Sequence, residues 1–261
     1  MFCVNCGKSL NNDFKFCPYC GTNISTGVLS GAHDNDFEIV AGTLVKYKGS
    51  SPDVVIPNNV VQIGDKAFYN MSALKSVIIP SSVKTIGTDA FMLCYSLSSV
   101  TFSSGINIIS NDAFRDCHSL KSIILPDSIN SIYSGAFSGC TSLTKIKLPS
   151  KLQSLSPRTF AGCISLKEIE IPNSVLKIEL DRDFNSGGVW YNDCKSSCFY
   201  GCKNLRKITY PARFSPENFY DTPVYEEWRE KELREHRIAN GRCPECGEKL
   251  SIFGKCKNRC H

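Results

Sequence analysis

A 23-residue repeat fills the middle of the chain and constrains its fold more than any other feature. Phenylalanine recurs at this spacing in five consecutive copies, at Phe68, Phe91, Phe114, Phe137 and Phe160. A leucine column that begins at Leu74 and a Val/Ile column that begins at Val77 keep the same period. One such unit cannot bury its apolar face alone, so successive units must stack and share a continuous core. The repeat therefore predicts a solenoid.

Each unit ends in a segment that alternates apolar and polar residues, such as Ile146-Lys147-Leu148. This alternation, closed by a proline, indicates a short strand with one buried face. An earlier partial unit ends in Val54-Val55-Ile56, and the series resumes at Phe199, 39 residues after Phe160. We therefore predict seven strand segments and an insertion of about 16 residues, at roughly 179–197. The Ala-Phe-x-x-Cys stretch of the unit is predicted to form a short helix or 3₁₀ turn.

The repeat unit resembles the BspA-type leucine-rich repeat family over roughly residues 37–211, and the repeat domain is placed at 37–215. The resemblance implies an α/β-type solenoid of short parallel strands, and it implies recognition of a partner more than chemistry. The segment from Phe37 to Tyr47 resembles the β-hairpin that opens such arrays, where it would protect the edge of the first coil.

Two further segments flank the array. Residues 23–36 are rich in Ser, Gly, Thr, Asn and Asp and are predicted to be a flexible linker. Residues 216–240 are highly charged but carry Val224, Tyr225, Trp228 and Leu233 at roughly helical spacing. We predict a capping helix here, shielding the last coil.

Fifteen cysteines are an unusual number for a chain of 261 residues. Residues 1–22 contain two CxxC pairs, Cys3, Cys6, Cys17 and Cys20, which is the spacing of a zinc ribbon. Two such turns offer four thiolates to one tetrahedral ion and leave no position for water, so the predicted zinc is structural. Disulfides or another metal are the alternatives.

Residues 241–261 repeat this pattern less regularly, with Cys243, Cys246, Cys256 and Cys260 as the predicted ligands. The Cys256-x3-Cys260 spacing departs from the usual ribbon, and His261 in place of Cys260 is the variant left open. About two structural zinc ions per chain are therefore predicted. Two four-thiolate sites would lower the formal charge from +5 to about +1.

The other cysteines follow the repeat. One column contains Cys94, Cys117, Cys140, Cys163 and Cys202. A chemical site does not usually recur in every coil, so this column is predicted to be buried packing with thiols that lie in parallel rather than in disulfides. Cys198 stands where other units have alanine and is predicted to be in the core. Cys194, in the insertion, has no role assigned by the repeat.

The strand alternation also defines two columns of outward side chains, which form the candidate interaction face. The first column contains Ser76, Ser99, Ser122, Lys145, Glu168 and Lys207. The second contains Ile78, Thr101, Ile124, Lys147, Glu170 and Thr209. An ordinary solvated sheet without a ligand is the alternative interpretation of this face.

The sequence contains no P-loop, GxSxG, HExxH or dinucleotide-binding motif, which argues against an enzyme. We expect a non-catalytic interaction or scaffold protein with an unidentified protein partner. A nucleic-acid binder acting through its zinc ribbons is the alternative, although the array lacks a basic stripe with aromatic residues. A cell-surface adhesin is the second alternative, but the N-terminus has no secretory signal. With no apolar run long enough to span a membrane, a cytoplasmic location is expected.

Overall fold

The computed structural model describes residues 34–179, 197–214, 219, 222–240, 242 and 245. The predicted N-terminal ribbon, most of the predicted linker, the insertion with Cys194 and the predicted zinc ligands lie outside this part of the chain.

The described chain is built from short strands that stack along the array. The strands are, in chain order, β1 (Phe37–Val40), β2 (Thr43–Tyr47), β3 (Asp53–Val55), β4 (Gln62–Ile63), β5 (Ser76–Ile79), β6 (Thr85–Ile86), β7 (Ser99–Phe102), β8 (Ile108–Ile109), β9 (Ser122–Ile124), β10 (Ser131–Ile132), β11 (Lys145–Lys147), β12 (Ser154–Leu155), β13 (Glu168–Glu170), β14 (Lys177–Ile178) and β15 (Lys207–Thr209). A 3₁₀ turn at Asp34–Asp36 precedes them, and helix α1 (Pro223–Ala239) follows.

The odd-numbered strands from β3 to β15 form the first ladder, which contains the seven predicted strand segments. Paired strands run parallel, and residues one repeat apart lie opposite each other, as Val77 does to Val100. Across the insertion, Ile169 of β13 lies opposite Ile208 of β15. The predicted solenoid is confirmed, and the insertion leaves the register of the array unchanged.

The even-numbered strands form a second ladder that the sequence did not predict. These strands are mostly two residues long, and each directs one apolar residue, such as Ile63 or Ile86, into the core. The predicted hairpin is confirmed as β1 and β2, joined by Ala41 and Gly42 with φ of 48° and 77°. Strand β2 pairs in parallel with β4, so the hairpin covers the edge of this second ladder.

A stack of aromatic rings runs through the core. The phenylalanines of the repeat are fully buried, and successive ring centroids lie 4.8 to 5.8 Å apart from Phe68 to Phe199. Tyr47 of the hairpin extends the stack at one end, 5.2 Å from Phe68. Burial of one such side chain contributes roughly 1.5–3 kcal/mol, so this column is a large part of the array's stability.

The segment around each phenylalanine is a turn and not the predicted short helix or 3₁₀ element. Lys66 and Asn70, two residues on either side of Phe68, have a φ of 59°, which interrupts any helix. Their amides donate to the next coil: Lys66 to Thr88 O at 2.9 Å and Asn70 to Met92 O at 2.8 Å. The turns therefore add a third set of hydrogen bonds between coils, and the fold is a β-solenoid with a C-terminal helix.

Helix α1 forms as predicted, with Thr222 as its N-cap and Pro223 in its first turn. Its predicted role as the cap of the array is only partly matched, because no residue of α1 is buried. Phe219, just before the helix, is fully buried, and its ring lies 6.1 Å from Phe199 and 4.7 Å from Tyr210. Among the described residues, no helix is both long and apolar enough to cross a membrane.

Candidate functional site

The two outward columns lie on the exposed side of the first ladder, because the residue between them on each strand points into the core. Ten of the twelve residues are exposed, while Ser76 and Ile78 at the N-terminal end are half-buried. Ile124 is 80% exposed, which is more than any other large apolar side chain in the described chain. The structure thus places all twelve on one surface, and their role in binding remains a prediction.

This surface has two unlike halves. On β5, β7 and β9 the outward side chains are Ser, Thr and Ile, whereas β11, β13 and β15 present Lys145, Lys147, Glu168, Glu170 and Lys207 with Thr209. A groove of about 510 Å³ lies on the charged half and is lined by these six residues and their neighbours. We call it the charged groove; Ile146 and Ile169 also line it.

The charged groove coincides with a break in the first ladder. In the described chain the ladder is interrupted twice, between β7 and β9 and between β11 and β13, where the strands are in contact but are not hydrogen-bonded neighbours. The charged groove lies at the second interruption. The ring spacing at this interval is 5.8 Å between Phe137 and Phe160, close to the 5.7 Å between Phe160 and Phe199.

The charges of the groove lie on neighbouring strands. Glu168 is opposite Lys207 in the register of β13 and β15. The ion pairs found in the described chain, such as Lys177 with Glu179 at 2.6 Å, do not include Lys145, Glu168 or Lys207. Exposed charges that are not paired internally remain available to a partner of complementary charge.

The cysteine column is buried as predicted, and it also makes hydrogen bonds that the sequence did not indicate. Each thiol donates to the carbonyl oxygen of the phenylalanine in the preceding coil, as Cys117 does to Phe91 at 3.3 Å and Cys140 does to Phe114 at 3.2 Å. These cysteines and Cys198 are free thiols. A thiol is small enough for the core and still satisfies a carbonyl there, which explains its recurrence in the column.

Burial raises the pKa of several of these thiols. The pKa of Cys94 and of Cys140 rises to about 12, and burial also raises the pKa of Cys117, Cys163 and Cys198. A thiol is nucleophilic and binds metal only as the thiolate, so burial disfavours both reactions at these five cysteines.

The predicted zinc ligands at both termini, Cys3, Cys6, Cys17, Cys20, Cys243, Cys246, Cys256 and Cys260, lie outside the described residues, as does His261. In the described part, no group of three or more His, Cys, Asp or Glu could hold a metal ion. Glu245, which lies between Cys243 and Cys246 in sequence, pairs with Arg234, and its backbone oxygen accepts from Arg237 at 2.7 Å. Zinc in structural sites prefers four thiolate ligands, and the four cysteines at each end of the chain offer that donor set.

Comparison with known families and structures supports the architecture. The BspA type leucine rich repeat region matches residues 45–154 and 191–222 in six copies, and a zinc-ribbon domain matches residues 2–24. This zinc-ribbon match is at the N-terminus only. No curated protein matches the chain.

Solved structures of leucine-rich repeat proteins are similar to this one. A leucine-rich repeat protein of T. pallidum is 26% identical, with a TM-score of 0.59 over 77% of this chain and 95% of that one. Another, from Bacteroides ovatus, is 33% identical, with a TM-score of 0.52 over 61% of this chain and 37% of its own. Because the repeat match covers more than half of the 261 residues and the coils stack in the same register throughout, the chain belongs to the BspA-type leucine-rich repeat family.

Proposed function

We propose that this chain is a non-catalytic interaction or scaffold protein that binds a protein partner through the exposed face of its first ladder. The observation that carries the proposal is the charged groove, where exposed Lys and Glu side chains surround a depression of about 510 Å³. A stacked array is rigid, so these side chains are held in place before a partner arrives and little ordering is required on binding.

In this proposal the two terminal modules are structural and have no catalytic role. We propose structural zinc in the N-terminal ribbon, held by Cys3, Cys6, Cys17 and Cys20, and a second zinc at the C-terminus. When bound, such a zinc supplies folding energy to a segment too short to fold on its own core. Reduced thiols are needed at both ends, and this favours a cytoplasmic location.

The proposal is tested by affinity capture from the native cell with the full chain as bait. We expect a specific protein to be retained by the wild type and lost with K145E/K147E, which reverses the charge of one side of the groove. K75E/K203E makes the same charge change at exposed lysines outside the candidate interaction face and serves as the matched control. Equal retention by both variants would show that the partner binds elsewhere.

The nucleic-acid alternative is tested by titration with generic DNA and RNA at several salt concentrations. Binding in the micromolar range that weakens steeply with salt would overturn the proposal, since phosphate contacts release counterions. We expect no such binding, because the charged groove contains Glu168 and Glu170 beside its lysines.

A further inference from the structure

The charged half of the candidate interaction face is complementary to itself. Strand β11 presents Lys145 and Lys147, and the next strand of the first ladder, β13, presents Glu168 and Glu170 at the same positions of the following unit. The four residues are exposed on an array of stacked coils, which holds them in fixed rows. A row of two positive charges therefore lies beside a row of two negative charges.

These four side chains are not used by ion pairs within the described chain, because none of the ion pairs found there includes them. Lys147 has Asp127 near it, since its charge, after the hydrogen bonds from Ser150, helps to lower the pKa of Asp127. The residues that flank the insertion are not on this face: Glu179 follows β14 of the second ladder, and Ser197 begins the next turn. The two rows are thus available to a partner of matching charge.

Symmetry decides which contact between two copies matches these charges. A two-fold axis parallel to the strands, passing between β11 and β13, sets the two faces opposite each other with β11 of one copy over β13 of the other. Such an axis preserves the position along the strand, so Lys145 faces Glu168 of the second copy and Lys147 faces Glu170 of the second copy. The same two pairs recur on the other side of the axis, and no like charges face each other.

Other two-fold arrangements of this face do not match. An axis along the array would place Lys145 over Lys147 and Glu168 over Glu170. An axis centred on β13 would place each glutamate over its own copy. Like charges that face each other are destabilising, so the pattern selects the axis between β11 and β13.

The neighbouring strands fit the same arrangement. Strand β9 of one copy lies over β15 of the other, which places Ile124 against Thr209 and Ser122 against Lys207. Ile124 is 80% exposed, and this contact would remove its apolar surface from water. Facing sheets pack about 10 Å apart, a gap that a lysine and a glutamate side chain together span.

The overlap is small. Strands β9, β11, β13 and β15 have three residues each, so at the usual spacing and rise they cover about 19 Å by 10 Å. A stable interface buries roughly 800 Å² of each partner. We therefore expect a weak, reversible contact that depends on its charges.

We propose that the charged groove of one copy docks face to face on the charged groove of a second copy, with Lys145 and Lys147 of each paired to Glu168 and Glu170 of the other. This inference rests on the proposed function, because it names the partner of the same site. A second copy is favoured over an unrelated protein because the two rows satisfy each other with residues of this chain alone.

Sedimentation velocity on the full chain over a range of concentrations tests the proposal. We expect a reversible dimer of the wild type that weakens as salt is added. K145E/K147E should raise the dissociation constant by about tenfold or more, because it places glutamates opposite Glu168 and Glu170 of the second copy. K75E/K203E makes the same charge change at exposed lysines outside the face and should dimerise like the wild type.

The register of the pairs is tested by two variants of equal net charge. K145E/E168K exchanges the members of one pair, so opposite charges still face each other and the variant should dimerise like the wild type. K145E/E170K makes the same two charge changes out of register, so like charges meet at both positions and the variant should dimerise no better than K145E/K147E. Circular dichroism establishes that each variant is folded before it is compared.

A wild type that stays monomeric up to about 1 mM would overturn the inference, whether a segment of its own chain or another protein then occupies the groove. So would a dimer that is insensitive to K145E/K147E, or equal dimerisation of K145E/E168K and K145E/E170K. A monomeric wild type that still captures a protein, and loses it with K145E/K147E, would leave the proposed function standing, so the two failures are distinguishable.

Discussion

The rings of Phe91 and Phe114 are stacked with their centroids 5.1 Å apart and their planes within 1° of parallel. The two residues are one repeat apart, so this contact is a direct measure of how exactly neighbouring coils superpose. Equivalent rings above and below continue the stack, and each ring therefore contacts the coil before it and the coil after it. A defect at one ring should weaken two coil interfaces.

Replacing Phe114 with alanine should destabilise the array by about 3–5 kcal/mol, because it leaves a cavity between two coils. Denaturant unfolding followed by circular dichroism measures the loss. Tyr133, which is 46% exposed, provides the control, and Tyr133→Ala should change stability by no more than about 0.5 kcal/mol. Similar losses for both variants would mean that the stack does not carry the stability assigned to it.

The buried thiols should make the protein less stable in alkali. Burial raises the pKa of Cys140 from an ordinary 9.0 to about 12. Below pH 9 the thiol is protonated in both states and its contribution is complete. Between pH 9 and 12 the unfolded chain loses the proton while the folded chain keeps it, so stability falls as the pH rises, by up to about 1.4 kcal/mol per pH unit for each thiol.

Urea unfolding of the wild type and of Cys140→Ala at a series of pH values checks this sign. The variant should lose stability at pH 7 through its smaller side chain, but its stability should decline less steeply above pH 9. Parallel declines for the two proteins would contradict the assigned pKa shift.

Gly139 and Gly162 occupy the same position in successive coils and have φ of 70° and 71°, so they form a matched pair. Alanine at Gly162 should cost about 1 kcal/mol, because the left-handed conformation disfavours a side chain and the added carbon meets only ordinary contacts. Alanine at Gly139 should cost more, since its Cβ would press against Oδ1 of Asp116.

Adding Asp116→Ala removes that carboxylate, so it should bring the cost of Gly139→Ala close to that of Gly162→Ala. Unfolding free energies of the single and double variants give this comparison as a double-mutant cycle. An additive cycle would show that Asp116 is not the obstacle.

The architecture was predictable because the 23-residue period sets both the strand register and the positions of the buried side chains. The spacing of Phe160 and Phe199 was enough to place Ile169 opposite Ile208, across an insertion. The second ladder was not predicted, because a strand of two residues such as Thr85–Ile86 is too short to show alternation. The turn was mistaken for a helix. Asp and Asn two residues from the phenylalanine, as at Asp89 and Asn70, were the signal for left-handed backbone there.

The outward columns could also be assigned from the register, since exposure follows directly from strand alternation. The groove could not, because its volume depends on how side chains of β11, β13 and β15 are arranged together, which the alternation within one strand does not predict. The prediction that α1 shields the last coil was only partly right. The apolar residues of α1 suggested a cap, but it is Phe219, in the less patterned segment before the helix, that packs against Phe199.

Metal analysis of the purified protein should find about two zinc ions per chain. C3S/C6S and C243S/C246S should each halve that content, since each pair supplies half of one four-thiolate site. Protein that contains no zinc would contradict both ribbon assignments. A loss of zinc in only one of the two variants would identify which terminus binds the metal.

The same two variants should have different effects on α1. Arg234 and Arg237 both contact Glu245, which lies between Cys243 and Cys246, so order in that turn should stabilise the end of the helix. C243S/C246S should therefore speed hydrogen exchange in residues 234–239, because a zinc-dependent turn unfolds without its metal. C3S/C6S removes the same number of thiols and should leave these amides unchanged. Equal exchange in both variants would mean that Glu245 is held to the helix without any help from zinc.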